Sequence, residues 1–203
     1  MSWGVSAGTH EFQFKFRKKQ KYAIIAPSGS GKTTLLNIIF DMLVDYQGQL
    51  LVDGQDYHQL SESAIQARML YVDQHPYIFS ATLRENILMG RPASAAQLQE
   101  ICDICGVNEF LPQLDNGLDT MLRHGGDNLS GGQMQRIAMA RMLLSDRPIL
   151  LLDEITSALD AKTALRIEQK ILSQTDKTII MVTHNLHDEI RPLVDQTVDF
   201  AAI

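Results

Sequence analysis

Two pairs of residues in this chain are spaced for work on a phosphoanhydride. Lys32 and Thr33, with Thr34 behind them, follow a tight run of small residues, Pro27-Ser28-Gly29-Ser30-Gly31. Far along the chain, Asp153 and Glu154 follow four apolar residues, Ile149 to Leu152. A lysine ammonium suits β- and γ-phosphate oxygens, and a threonine hydroxyl suits Mg²⁺, which a carboxylate such as Asp153 could also hold. Glu154, one residue further, points differently and could polarise a water for attack on the γ-phosphate. A third stretch, Asn128-Leu129-Ser130-Gly131-Gly132-Gln133, opens a helix-patterned segment and would offer another helix N-terminus to an anion. One nucleotide has no evident need of two such ends from one subunit, but a second copy of the chain could use the second. Each stretch also has a plain structural reading: a glycine turn, a solvated strand end, a capped helix.

Periodicity supplies the elements that would carry these groups. Tyr22 to Ala26 reads as a buried strand, and Leu35, Leu36, Ile38, Ile39, Met42 and Leu43 recur at helical spacing after Lys32. Strand, glycine loop and helix with Gly-Lys-Thr form a phosphate-binding loop. Gly29 and Gly31 permit torsions that turn successive N–H groups onto an anion. Ala26 stands where such loops carry a first glycine, and alanine at a strand end is compatible with extended torsions. Glu11 to Phe16 alternates strictly and reads as a half-buried strand. Further strands are expected at Gln49 to Val52, Met69 to Val72, Ile149 to Leu152, Thr178 to Val182 and Val194 to Phe200. Helices are expected from Ser61, over Leu83 to Met89, Ala93 to Cys105, Gly131 to Leu144 and Ala161 to Leu172. Strands alternating with helices imply an α/β fold, a P-loop NTPase core with a mainly parallel sheet and a small antiparallel β part. The helical middle stretch reads as an inserted subdomain: one domain over 1–203, with 10–75 and 143–203 as core and 76–142 as the helical part.

The chain has 203 residues, 45% hydrophobic and 21% charged, enough for a sizeable core. A net charge of −6 argues against a broad nucleic-acid surface. Arg17, Lys18, Lys19 and Lys21 form a short basic cluster that reads as a solvated hairpin turn. No apolar run approaches a membrane span, so the chain is expected to be soluble and cytoplasmic. Cys102 and Cys105 form a lone Cys-x-x-Cys, read as two half-buried helix residues rather than a zinc or redox site.

Taken together, these residues resemble the nucleotide-binding domain of ATP-binding cassette (ABC) transporters over nearly the whole chain. Leu129 to Gln133 matches that family's signature motif. Asp153-Glu154 is similar to its Walker B motif, Ser157-Ala158-Leu159-Asp160 to its D-loop, Gln74 to its Q-loop glutamine and Thr183-His184 to its switch histidine. Gln74 to Ile87 is similar to the exporter-type segment that faces the coupling helices of the membrane domain. The resemblance implies ATP and Mg²⁺, with Gln74 touching Mg²⁺ or the lytic water and His184 the γ-phosphate. It implies that Ser130 and Gly132 reach the γ-phosphate of an opposite subunit and that Asp160 works across a homodimer or heterodimer. It further implies a transmembrane partner, transport in the export direction and a place at the inner face of the cell membrane.

The chain departs from that pattern in three places. Only ten residues precede the first clear strand, and Trp3 alone lies far enough upstream to stack on adenine. The terminal elements after His184 are short. Leu122-Arg123-His124-Gly125 lacks the glutamate that exporter-type members often place before the signature. The same motifs also occur in two other settings: an ABC ATPase acting on DNA, ribosomes or Fe–S assembly, and a non-hydrolysing regulatory cassette. The first lacks its coiled coil or second cassette here, and Lys32, Asp153, Glu154 and His184 argue against the second.

Overall fold

A computed structural model describes residues 2–7, 10–25, 29–40, 42, 47–184 and 186–199, with backbone alone at 2–7, 10–13 and 47–48. The chain divides into two compact units: Met1–Tyr71, Arg147–Glu154 and Leu172–Ile203 make the first, Val72–Asp146 and Ile155–Ile171 the second.

The first unit holds two sheets. The antiparallel one is built from β1 (Ser2–Ala7), β2 (His10–Phe14), β4 (Gln47–Val52) and β5 (Gln55–Asp56), in the order β2-β1-β4-β5. β1 is not expected from the sequence, which places only ten residues before a first strand. Ser-Trp-Gly-Val-Ser-Ala has weak strand propensity, and pairing with β2 on one edge and β4 on the other makes it a strand. Asp53 and Gly54, both at positive φ, form the two-residue loop into β5.

The second sheet runs β6-β7-β8-β3-β9: β6 (Met69–Val72), β7 (Ile149–Asp153), β8 (Thr178–Thr183), β3 (Lys21–Ile25) and β9 (Gln196–Asp199). The pairs β7–β8, β8–β3 and β3–β9 are parallel. β7 is buried at every position and β8 at all but its last, which is why both read as unbroken apolar runs. α1 (Lys32–Ile39) sets Leu35, Leu36, Ile38 and Ile39 into one core with Tyr22, Ile24, Leu151, Ile180 and Val182. α2 (Glu62–Arg68) starts where the Ser61 hydroxyl accepts from the Ala64 N–H. The basic cluster is only partly solvated: Arg17, Lys18 and Lys19 are exposed, but Lys21 is buried and its Nζ donates to the Lys19 carbonyl at 3.2 Å. Strand pairing of β3 draws Lys21 in, which a charge count does not register.

The second unit is helical: α3 (Leu83–Leu88), α4 (Ala95–Ile104), α5 (Gly131–Leu143) and α6 (Ala161–Leu172), the last passing into the first unit at Leu172. Between α4 and α5 the chain makes short 3₁₀ turns. Thr82 and Glu85 form a reciprocal N-terminal cap on α3, and Ser94 caps α4. Cys102 and Cys105 are fully buried free thiols rather than half-buried ones. α4 turns that face inward, and burial pushes the Cys102 thiol up to about 11 and raises Cys105 too.

Candidate functional site

In the first unit, β3 ends at Ile25 and leads into the glycine loop. Ala26, Pro27 and Ser28 lie outside the described residues. Gly29 and Gly31 have φ of 79° and 89°, the left-handed torsions expected of the loop. Gly31 precedes α1 without a side-chain cap among the described residues, so the first N–H groups of the helix are open to an anion. The Ser30 hydroxyl is buried with no partner among the described residues. A buried hydroxyl left unpaired costs about 1–3 kcal/mol, and a phosphate oxygen would satisfy it. Lys32 is only 4% exposed, while Thr33 is exposed and Thr34 half-buried.

β7 and β8 deliver the acids and the histidine to the carboxyl ends of neighbouring parallel strands. Asp153 pairs in register with Val182, and the Glu154 N–H donates to the Val182 carbonyl at 3.1 Å. Glu154 then takes φ 48°, unusual for a side chain of its size, and leaves the strand direction. Its Oε1 lies 2.7 Å from His184 Nε2 and 3.7 Å from Lys32 Nζ. One carboxylate oxygen therefore faces the two groups expected on the γ-phosphate. Asp153 is buried, and the Tyr71 hydroxyl donates to its Oδ2 at 3.2 Å.

The Thr33 hydroxyl and Asp153 carboxylate are hard oxygen donors. Among the described residues no three His, Cys, Asp or Glu side chains gather as a metal cage. That donor set fits Mg²⁺, which keeps waters and takes one or two carboxylates plus substrate phosphates.

Gln74 belongs to the second unit, half-buried, with Nε2 3.5 Å from the Ser157 hydroxyl. So do Leu129 to Gln133. Ser130 caps α5: its hydroxyl accepts from the Gln133 N–H, and the Gln133 side chain accepts from the Ser130 N–H. Leu129 is half-buried, while Ser130 and Gly131 are exposed. A Cβ on Gly132 would sit 3.0 Å from the Ala158 carbonyl, so the close backbone approach favours glycine there. Asp160 accepts from the Thr163 N–H at the start of α6, and that bond holds its carboxyl below the usual range. A cleft of about 490 Å³ is lined by Ser130, Gly132, Gln133, Arg136, Ala158 and Asp160 among others. Trp3 pairs through its backbone with Phe14 and Leu50, and its side chain is not among those described.

Three residues at these places escape motif reading. Tyr71 looks like a strand aromatic, and its contact with Asp153 spans 82 positions. Arg136 reaches Glu109 at 2.5 Å and Asp160 at 3.4 Å. Gln135 is the one that leaves a trace in the sequence: an amide in a stripe that continues through Ala138, Met139 and Met142, all buried.

Comparison with known proteins gives the family. A family model described as ABC transporter matches residues 9–157. The ATP-binding/permease protein of the glutathione/L-cysteine transport system of Bacillus subtilis is 40% identical over 91% of this chain and 33% of its own length. The mycobactin import ATP-binding/permease protein of Mycolicibacterium thermoresistibile is 38% identical over 91% and 32%. The solved structure of a bacterial Atm1-family ABC exporter with ATP bound superposes with a TM-score of 0.79 at 31% identity, covering 94% of this chain and 34% of that one. The chain thus spans about a third of the length of the relatives it matches. No helix among the described residues is long and apolar enough to cross a membrane. With the phosphate loop, the paired acids and these likenesses in one chain, it belongs to the ABC transporter family, as a nucleotide-binding (ATPase) domain of the exporter-like kind.

Proposed function

We propose that this chain is the ATP-hydrolysing motor of a transporter, closing on a second such domain with ATP between them and driving a transmembrane partner from the inner face of the membrane. The observation that carries this reading is the Glu154 carboxylate, set 2.7 Å from His184 and 3.7 Å from Lys32 beside an uncapped helix N-terminus. The proposed domain spans 1–203, with 76–142 as its helical subdomain. Export is the proposed direction, supported by the Gln74 to Ile87 segment and by the solved exporter. One relative is named for import, so uptake or release by sealed vesicles is the direct measure.

In this reading Pro27 and Ser28 would belong to the loop around the phosphates, and the N–H groups of Gly29 to Gly31, Thr33 and Thr34 would donate to them, with Lys32 on the β- and γ-oxygens and the Ser30 hydroxyl donating to a phosphate oxygen. Thr33, Asp153 and Gln74 would hold Mg²⁺, which supplies charge neutralisation on the β- and γ-phosphates. An incoming γ-phosphate competes with Glu154 for Lys32 and His184. Glu154 Oε1 would then accept a proton from the attacking water. His184 then donates to the γ-phosphate. Leu129 to Gln133, with Asp160, would face the nucleotide of the opposite domain, and Trp3 would stack on adenine.

The test is Glu154→Gln. The amide keeps size and most hydrogen bonding but not basicity, so ATP should bind with near wild-type affinity while hydrolysis falls by about 10²–10⁴-fold. Wild-type turnover by this variant removes Glu154 as the base.

A further inference from the structure

The proposed nucleotide site uses the first turn of α5, and a buried polar arrangement lies one turn further in. Gln135 is only 3% exposed. Its Nε2 donates to the main-chain carbonyl of Gln74 at 3.1 Å and to the Ser157 hydroxyl at 3.3 Å. Its Oε1 accepts from the Ala158 N–H at 3.0 Å. The Gln74 side chain approaches the same Ser157 hydroxyl at 3.5 Å. One buried amide therefore holds two segments that lie 61 and 22 positions away in sequence. Both segments carry groups of the proposed site: Gln74 itself, and the run from Ser157 to Asp160.

The chemistry of the position is narrow. It needs donors for two oxygens and an acceptor for one N–H, which a primary amide supplies at once. A glutamate would set a second acceptor against the Gln74 carbonyl. A methionine of similar length would fill the space and leave the Gln74 carbonyl and the Ala158 N–H without it. Asparagine has the right atoms on a stem one methylene too short. The same helix carries Ser130 and Gly132 at its N-terminus, and Gly132 already lies against the Ala158 carbonyl. α5 thus grips the 157–160 segment at two points, one of them through Gln135.

We infer that Gln135 is a positioning residue for ATP hydrolysis: it fixes Gln74 and the 157–160 segment in one frame with the signature helix. The inference rests on the reading of Gln74 and Asp160 given above. The bonds of this amide go to Gln74, Ser157 and Ala158 and not to the phosphate loop, so its loss is expected to act on turnover more than on the loop's hold of the nucleotide.

The experiment compares wild type, Glu154→Gln and Gln135→Met, measuring kcat and KM for ATP together with amide exchange at Ala158 in protein labelled at alanine nitrogen. Wild-type hydrolysis with loss in Glu154→Gln secures the underlying reading; if that pair fails, the site assignment fails. Given that pair, Gln135→Met is expected to lower kcat by about 10–100-fold, the scale of a displaced positioning group, with KM within about threefold. Ala158 exchange should speed up by about tenfold or more. A kcat within about twofold of wild type, or a loss confined to KM, overturns the inference. If Gln135→Met does not fold, wild-type exchange decides: slow exchange at Ala158 supports the inference, and exchange as fast as in an open loop overturns it.

Discussion

Glu154 shows how much can hang on one torsion. A continued strand would send its side chain to the opposite face from Asp153; φ 48° instead brings Oε1 to His184 and within ion-pair reach of Lys32. Such torsions are uncommon for a residue with a long side chain and mark places where the surroundings over-determine the backbone. The cysteines illustrate the opposite case, groups placed for packing alone. With Cys102 held up at about 11, only about 10⁻³ of it is thiolate at pH 8. Native protein should therefore resist alkylation that the unfolded chain accepts at once. The stability consequence has a definite sign. The folded thiol titrates above the unfolded one, so its contribution is complete below about pH 9 and is lost as pH rises toward 11. Denaturation midpoints measured at pH 8 and pH 10.5 should fall with pH, and Cys102→Ala should flatten the decline.

At the scale of elements, capping separates structural from functional serines. Ser61 and Ser130 both accept from an N–H three residues on, the first at 3.3 Å and the second at 3.2 Å. Replacement of either by alanine should cost about 1 kcal/mol of stability, seen as similar shifts of a denaturation midpoint. Their effects on turnover should differ. Ser61→Ala leaves hydrolysis near wild type, while Ser130→Ala also removes a hydroxyl proposed to meet the opposite nucleotide. Equal turnover in the two variants would reduce the 129–133 motif to a helix start.

For the molecule as a whole, the prediction concerns association. If ATP is held between two domains, slowing hydrolysis should let the closed pair accumulate, because ATP binds it better than it binds the single domain. Size-exclusion chromatography with Mg-ATP should show a dimer for Glu154→Gln and little for wild type after turnover. Adding Ser130→Arg to Glu154→Gln sets a bulky cation at the exposed end of α5 and should return the dimer to monomer while ATP binding persists. A double variant that still dimerises with ATP would place the contact elsewhere.

The sequence by itself determined the α/β class, the phosphate loop, the Asp153-Glu154 strand end and the family, because each depends on residues close together in the chain. Periodicity marked α1, α5, α6, β7 and β8 to within a residue or a few at their ends, since their burial is one-sided or complete and so leaves a pattern. What needed the fold was whatever depends on residues far apart. β1 exists through its two partners and not through its composition. Lys21 and the two cysteines are buried by neighbours that no local count registers. The meeting of Glu154 with Lys32 joins positions 122 apart, and the reach of Gln135 to Gln74 joins positions 61 apart. A spacing rule cannot express such distances; the parallel pairing of β7 with β8 and of β8 with β3 sets Glu154 near Lys32, and the packing of the second unit sets α5 against Gln74 and the 157–160 segment.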